Sequence, residues 1–108
     1  VRRPNYRSRE TFMSWKQLAE IDAFGTSLFQ NLCCRQVSKF IPEVMFEERG
    51  AEEKYFVAGI LRNDIKVYVY LDSAEIVSPS LNIRFERADS ATPEDLTMRL
   101  IKALSNAF

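Results

Sequence analysis

Residues 53–76, EKYFVAGILRNDIKVYVYLDSAEI, constrain the fold more than any other part of the chain. A strand that buries only one face alternates apolar and polar side chains, but here nearly every position is apolar or aromatic. Asn63 and Asp64 interrupt the run, and both residue types tolerate the positive φ angles of a two-residue hairpin turn. The run therefore predicts a β-hairpin whose two faces both need to be covered.

The pairing around this turn divides the side chains of the hairpin between two faces. The first face is wholly apolar and is expected to pair Ile60 with Val67, Ala58 with Val69 and Phe56 with Leu71. The second face is expected to pair Leu61 with Lys66, Gly59 with Tyr68 and Val57 with Tyr70. Tyr68 would then cover the bare backbone of Gly59. Either helices cover both faces, or one helix layer covers the apolar face and the tyrosine-bearing face binds a partner.

Apolar periodicity on both sides of the hairpin predicts the remaining elements. Residues spaced by three or four predict helices over about 9–23 and 26–40, which Gly25 either separates or joins as one bent helix. Pro42 ends the second helix, and further strands are predicted over 43–49 and 81–87, with a loop over 72–80.

The C-terminal segment is predicted to be a helix, because several signals agree there. Thr92 is a good N-cap, Pro93 suits the first helical position, and an apolar stripe follows at Leu96, Leu100, Ala103, Leu104 and Ala107. The predicted fold class is α+β, with an N-terminal helical segment, an antiparallel four-stranded meander and a C-terminal helix packed on the sheet.

Charge is distributed unevenly along the 108 residues, although fifteen basic and fifteen acidic residues cancel overall. The first ten positions hold four arginines and one acidic residue; the arginines are Arg2, Arg3, Arg7 and Arg9. The remainder has eleven basic and fourteen acidic residues, a net charge of −3. We expect residues 1–9 to form a basic flexible tail and 10–108 to form a single α+β interaction domain.

Residue types that carry most enzyme chemistry are missing or isolated. The chain has no histidine, the usual general base and the commonest metal ligand. Its two cysteines, Cys33 and Cys34, are adjacent on a predicted helix, where a disulfide between them would be strained, which favours a reducing compartment. We therefore predict a non-enzymatic protein without a cofactor, metal site or small-molecule substrate, located inside the cell in the cytoplasm or nucleus. No stretch is apolar over a length that would span a membrane.

Three features together resemble an RWD domain of the kind found in kinetochore subunits. They are the hairpin KYFVAGILRNDIKVYVYL, the loop containing Pro79 before LNIRF, and the capped last helix. The resemblance covers about residues 30–108, although the chain has one proline where many members have a two-proline turn. It implies a role in protein assembly rather than catalysis.

The leading hypothesis is a protein-protein interaction or dimerisation domain of a larger intracellular assembly. Its expected partner-binding residues are aromatic or apolar, namely Tyr55, Val57, Tyr68, Tyr70, Trp15 and Phe12. Trp15 is expected to pack either on the domain itself or in a groove of the partner. The alternative is a nucleic-acid-binding module, either like a double-stranded-RNA-binding domain or using the sheet tyrosines for stacking. That alternative would employ basic residues, namely Arg2, Arg3, Arg7, Arg9 and Lys66. Glu94 and Asp95, at the start of the last helix, would repel phosphate and make nucleic acid the less favoured partner.

Overall fold

The structure, a computed structural model, describes residues 14–18, 20–60 and 63–107. Three α-helices are described: α1 (Trp15–Leu18), α2 (Leu28–Phe40) and α3 (Pro93–Asn106). Five strands are described: β1 (Glu47–Arg49), β2 (Tyr55–Ile60), β3 (Ile65–Val69), β4 (Ser73–Ser78) and β5 (Leu81–Glu86). A short 3₁₀ helix, Arg87–Asp89, connects β5 towards α3.

The five strands form one antiparallel meander in which each strand pairs with the next along the chain. Helices α2 and α3 contact each other and the sheet. Their buried side chains join one core cluster with the same face of the sheet, represented by Ala58, Val67 and Ile76. The α+β class is thereby confirmed, with one strand more than the four predicted.

The last helix forms as its sequence signals predict. The Thr92 side chain accepts a hydrogen bond from the Asp95 backbone N–H, and Pro93 occupies the first turn. On the stripe, Leu96, Leu100 and Leu104 are fully buried. Because the cap, the proline and the apolar stripe all favour one helix, its start and its buried face are both correctly predicted.

Helix α2 begins at a capping box that ties it to the sheet. Ser27 Oγ accepts the Gln30 backbone N–H, while Gln30 Oε1 accepts the Ser27 backbone N–H. Gln30 is fully buried, and its Nε2 donates to the carbonyls of Lys54 at 2.8 Å and Val69 at 3.3 Å. Ser27 Oγ donates to the Leu71 carbonyl at 2.8 Å. These bonds fix the start of α2 against the ends of β2 and β3.

The predicted helix over 9–23 is wrong at its C-terminal end, and so is the alternative of one bent helix. Ile21 instead forms a β-bridge with Ser27. Between them, the Asp22 carboxylate accepts the backbone N–H groups of Phe24 and Thr26, and Gly25 has a φ of +86°. A tight loop held by an aspartate and a left-handed glycine therefore separates the helices.

The predicted hairpin register is wrong by two residues. Ile60 pairs with Ile65, Ala58 with Val67, Val57 with Tyr68, and Gly59 with Lys66 rather than with Tyr68. β2 therefore ends at Ile60 and β3 begins at Ile65, and Asp64 adopts the positive φ expected of the turn, at 56°. Because the error is an even number of residues, the side chains of β2 (Tyr55–Ile60) and β3 (Ile65–Val69) remain on their predicted faces.

Two other strand predictions need correction. The segment 72–80 is not a loop, because it contains β4, whose Ala74 and Ile76 lie in the core. The strand predicted over 43–49 is reduced to Glu47–Arg49. The strand predicted over 81–87 is confirmed as β5 over Leu81–Glu86, and Arg87 instead begins the 3₁₀ helix.

Candidate functional site

The strands alternate their side chains so that one face of the sheet packs on the helices and the other carries the tyrosines. We define the tyrosine face as the side chains on this second face of β2, β3 and the residue after β3, namely Tyr55, Val57, Gly59, Lys66, Tyr68 and Tyr70. Its flanks are Glu47 and Arg49 on β1, and Glu75 and Arg84 on β4 and β5. None of the described helices covers this face. Within the described residues, the arrangement is therefore one helix layer on the apolar face, and not helices on both faces.

Three of the predicted partner-binding residues, Tyr55, Tyr68 and Tyr70, lie together in one aromatic cluster. The ring centroids of Tyr68 and Tyr70 are 6.1 Å apart with planes 5° from parallel, and Tyr55 lies 6.1 Å from Tyr68 and 5.8 Å from Tyr70. All three rings remain partly exposed, as does Val57 opposite Tyr68. The cluster offers rigid aromatic area that is still accessible to solvent.

A shallow groove of about 350 Å³ runs beside the cluster and is lined by Glu47, Arg49, Tyr55, Val57, Gly59, Lys66 and Tyr68. Gly59 lines this groove, and the space next to it is open, because a Cβ placed there would have no neighbour within 4 Å. Opposite Gly59, Lys66 is exposed at the groove's end. The corrected register thus leaves open the space that Tyr68 was predicted to fill.

Ion pairs engage the arginines that flank the tyrosine face. Arg49 Nη2 lies 3.1 Å from Glu47 Oε1, and Arg84 Nε lies 2.7 Å from Glu86 Oε2. Arg84 Nη1 is also 3.5 Å from Glu75 Oε1. The surface therefore carries both signs of charge in close alternation, and its guanidinium groups already face carboxylates.

Tyr70 connects the aromatic cluster to these charges. Its hydroxyl donates a 3.0 Å hydrogen bond to Glu75 Oε1, and the Arg84 guanidinium lies 5.6 Å from its ring centroid. The pKa of Tyr70 is raised to about 12, mainly because the phenol is partly buried and secondly because of the hydrogen bond to Glu75. Tyr70 is therefore held in a fixed position as a neutral phenol, which preorganises this side of the face.

The structure places Trp15 elsewhere. Its ring packs on Phe29 with centroids 5.0 Å apart, its Nε1 donates to the Ser90 carbonyl at 3.1 Å, and only 8% of the residue is exposed. Trp15 is therefore a core residue on the helix side of the sheet. Two other groups of predicted site residues lie outside the described residues, namely Phe12 and the arginines Arg2, Arg3, Arg7 and Arg9.

The two cysteines lie on α2, on the helix side of the sheet. Cys33 is fully buried in α2, and desolvation raises the pKa of its thiol to about 12, while burial also raises the pKa of Cys34. Neither thiol is held as a reactive thiolate. In the part of the chain that the structure covers, no group of three or more metal-binding side chains comes together.

The sequence did not reveal the Tyr70–Glu75–Arg84 arrangement as a unit. Glu75 lies on β4, which its serines and the neighbouring Pro79 made resemble a loop. The alternation of Ala74 and Ile76 with Ser73 and Glu75 was the available signal. With β4 recognised, Glu75 would have been placed beside Tyr68 on the open face.

Comparison of the chain with protein-family models, curated proteins and solved structures finds no match. The likeness to RWD domains therefore remains a prediction from element order. Among the helices described, none has the length and apolarity needed to cross a membrane.

Proposed function

We propose that this chain is a non-catalytic protein-interaction domain of a larger intracellular assembly, and that it binds a protein partner through the tyrosine face. The main support for this proposal is the cluster of Tyr55, Tyr68 and Tyr70 on a sheet face that none of the described helices covers. Tyrosines supply large contact area with few rotatable bonds and are enriched at the centres of protein interfaces.

The charges around the cluster favour a protein partner over nucleic acid. A phosphate backbone is bound by arginines and lysines that release counterions, whereas Arg49 and Arg84 here lie beside carboxylates of the same face. Alternating charges instead suit the polar rim of a protein interface, where they set orientation and exclude wrong partners. Stacking of bases on the tyrosines remains the alternative, with Lys66 as its exposed cation.

The test combines two variants that damage the face in opposite ways. Replacing Tyr68 and Tyr70 together by Ser removes the aromatic area, and we expect a loss of about 2 kcal/mol or more in association, roughly 30-fold in Kd, with little change in melting temperature. Gly59→Val instead fills the groove. Since a Cβ at Gly59 meets nothing and valine favours strands, this variant should keep or raise stability while blocking the partner.

Partners would be captured from cell extract on the wild-type domain and then titrated individually against each variant. Met98→Ser is the matched control, because Met98 is 60% exposed on α3, on the helix side of the sheet. Partners that bind wild type and Met98→Ser but not the two face variants support the proposal. A labelled single-stranded RNA at near-physiological salt is the competing probe. Tyrosine-dependent binding of that RNA, or partners indifferent to both face variants, would overturn it.

A further inference from the structure

The two edges of the sheet differ in length and in what they leave exposed. β1 has three residues, whereas β5 has six, and no described strand pairs with the outer side of β5. The connection 79–80 has two residues, so the flanking pair Ser78–Leu81 is hydrogen-bonded, and bonding to β4 recurs at Ile83 and Phe85. The backbone groups of Asn82, Arg84 and Glu86 consequently point away from the sheet.

The apolar side chains of β5 that face the core layer are also incompletely buried. Leu81 is 41% exposed, and Ile83 and Phe85 are partly exposed, although their neighbours Ala74 and Ile76 on β4 are fully or almost fully buried. A groove of about 520 Å³ lies beside this edge and is lined by Arg84, Phe85, Glu86, Asp89, Ser90 and Arg99. A free backbone edge beside incompletely buried apolar side chains is a template for the addition of another strand.

We propose that a second copy of this chain occupies the edge, with β5 pairing antiparallel to β5 of the second copy about a two-fold axis at Ile83. The two sheets then form one continuous sheet of ten strands. A second copy fits this edge because the order apolar, polar, apolar, polar, apolar over residues 81–85 is the same in both directions, so that each apolar side chain meets an apolar side chain of the copy.

Register selects the position of the axis. A slip of one residue would set the apolar side chains of one copy beside the polar side chains of the other. The two-fold axis must therefore pass through a residue of β5 and not between two residues. An axis at Arg84 sets that cation directly opposite its own copy, which is unfavourable. An axis at Asn82 or Phe85 overlaps only three strand residues, since β5 covers Leu81–Glu86.

With the axis at Ile83, all cross-strand neighbours are compatible. Ile83 meets its own copy and Leu81 meets Phe85 of the second copy, which extends the core layer across the junction. On the open face, Arg84 meets Asn82 of the second copy, an amide that can accept its hydrogen bond. Such a two-fold axis is perpendicular to the sheet, so the tyrosine faces of both copies lie on the same side.

Cysteine placement tests both the dimer and its register. Ile83 lies at a non-hydrogen-bonded pair on the axis, where Cα atoms approach to about 4.5 Å, a separation that a disulfide spans. Ile83→Cys should therefore form a covalent dimer on mild oxidation at least about tenfold faster than Asn82→Cys, whose copies lie diagonally, about 7–8 Å apart. The unsubstituted chain is oxidised in parallel, because it carries Cys33 and Cys34.

Sedimentation supplies the second readout. The wild-type chain and Ile83→Val should sediment as dimers in the micromolar range, and Ile83→Asp, which places two carboxylates on the axis, should sediment as a monomer with retained circular dichroism. A monomeric wild type would overturn the proposal, whether the edge binds another peptide or residues 1–13 of the same chain. Equal cross-linking of the two cysteine variants would overturn it as well, by indicating a dimer through another surface. Pairing through β5 does not use the tyrosine face, so the double tyrosine variant should still dimerise.

Discussion

The two faces of the sheet are made by alternate residues of the same strands, yet they differ in almost every chemical property. On the helix side, Ala58, Val67 and Ile76 are 2% exposed or less and carry no polar side-chain atom. On the other side, Tyr68 and Glu75 stand opposite each other and remain partly exposed. The helices thus cover the face whose side chains have no hydrogen-bonding groups. Burying that face costs less free energy, because no polar side chain is removed from water.

This difference explains why the near-continuous apolar run of the hairpin does not need helices on both sides. A tyrosine hydroxyl can remain in water or bond to a neighbour while its ring packs on other rings, as Tyr70 does with Glu75 and Tyr68. Composition alone counts tyrosine and valine as equally apolar. The hydroxyls distinguish the apolar face, which the described helices bury, from the tyrosine face, which stays partly exposed.

The largest change in stability is expected at Trp15, which packs on Phe29 on the helix side of the sheet. Trp15→Ala should reduce the free energy of unfolding by about 3–5 kcal/mol, because it leaves a cavity beside Phe29 and an unpaired Ser90 carbonyl. Chemical denaturation measures the change. Lys16→Ala, an exposed neighbour in α1, should change stability by less than about 0.5 kcal/mol. Equal stability of the Trp15→Ala variant and wild type would mean that α1 adds nothing to the core.

Adjacent residues of β4 allow a direct comparison of the two faces. Ile76→Ala should cost about 2–4 kcal/mol, since Ile76 is 1% exposed, whereas Val77→Ala should cost less than about 1 kcal/mol. Each variant would be unfolded in urea under the same conditions. Comparable losses would show that the open face is also tightly packed in solution and would remove the basis for a partner-binding surface there.

The sequence predicts best where independent signals coincide. The last helix is correct because Thr92, Pro93 and the leucine stripe agree, and β5 is correct because Leu81, Ile83 and Phe85 alternate cleanly. The faces of the hairpin are correct even though its register is not, since strand periodicity fixes the face and only the turn fixes the pairing.

Sequence-based predictions failed where local hydrogen bonds override periodicity or where a contact depends on the tertiary fold. The Asp22 carboxylate, which bonds backbone groups of Phe24 and Thr26, ends a pattern that otherwise continues as a helix. The buried Gln30 bonds the carbonyls of Lys54, just before β2, and of Val69, at the end of β3, and no local pattern contains these tertiary contacts. The tyrosine cluster was predicted as a set of residues, but its link to Glu75 required the pairing of β3 with β4.

The smallest effect that distinguishes the faces is the titration of Tyr70. Its pKa of about 12 lies above the ordinary value near 10, so the phenol binds its proton more tightly in the folded protein. The resulting stabilisation is fully present below about pH 10 and is lost as the pH rises towards about 12. Tyrosine ring carbons followed by NMR would give the midpoint, with Tyr70→Phe for assignment. Glu75→Gln should move the midpoint only part of the way down, because burial contributes more than the hydrogen bond. A midpoint near 10 in the wild type would mean that Tyr70 is neither buried nor bonded to Glu75, and that the open face lacks the preorganisation described for it.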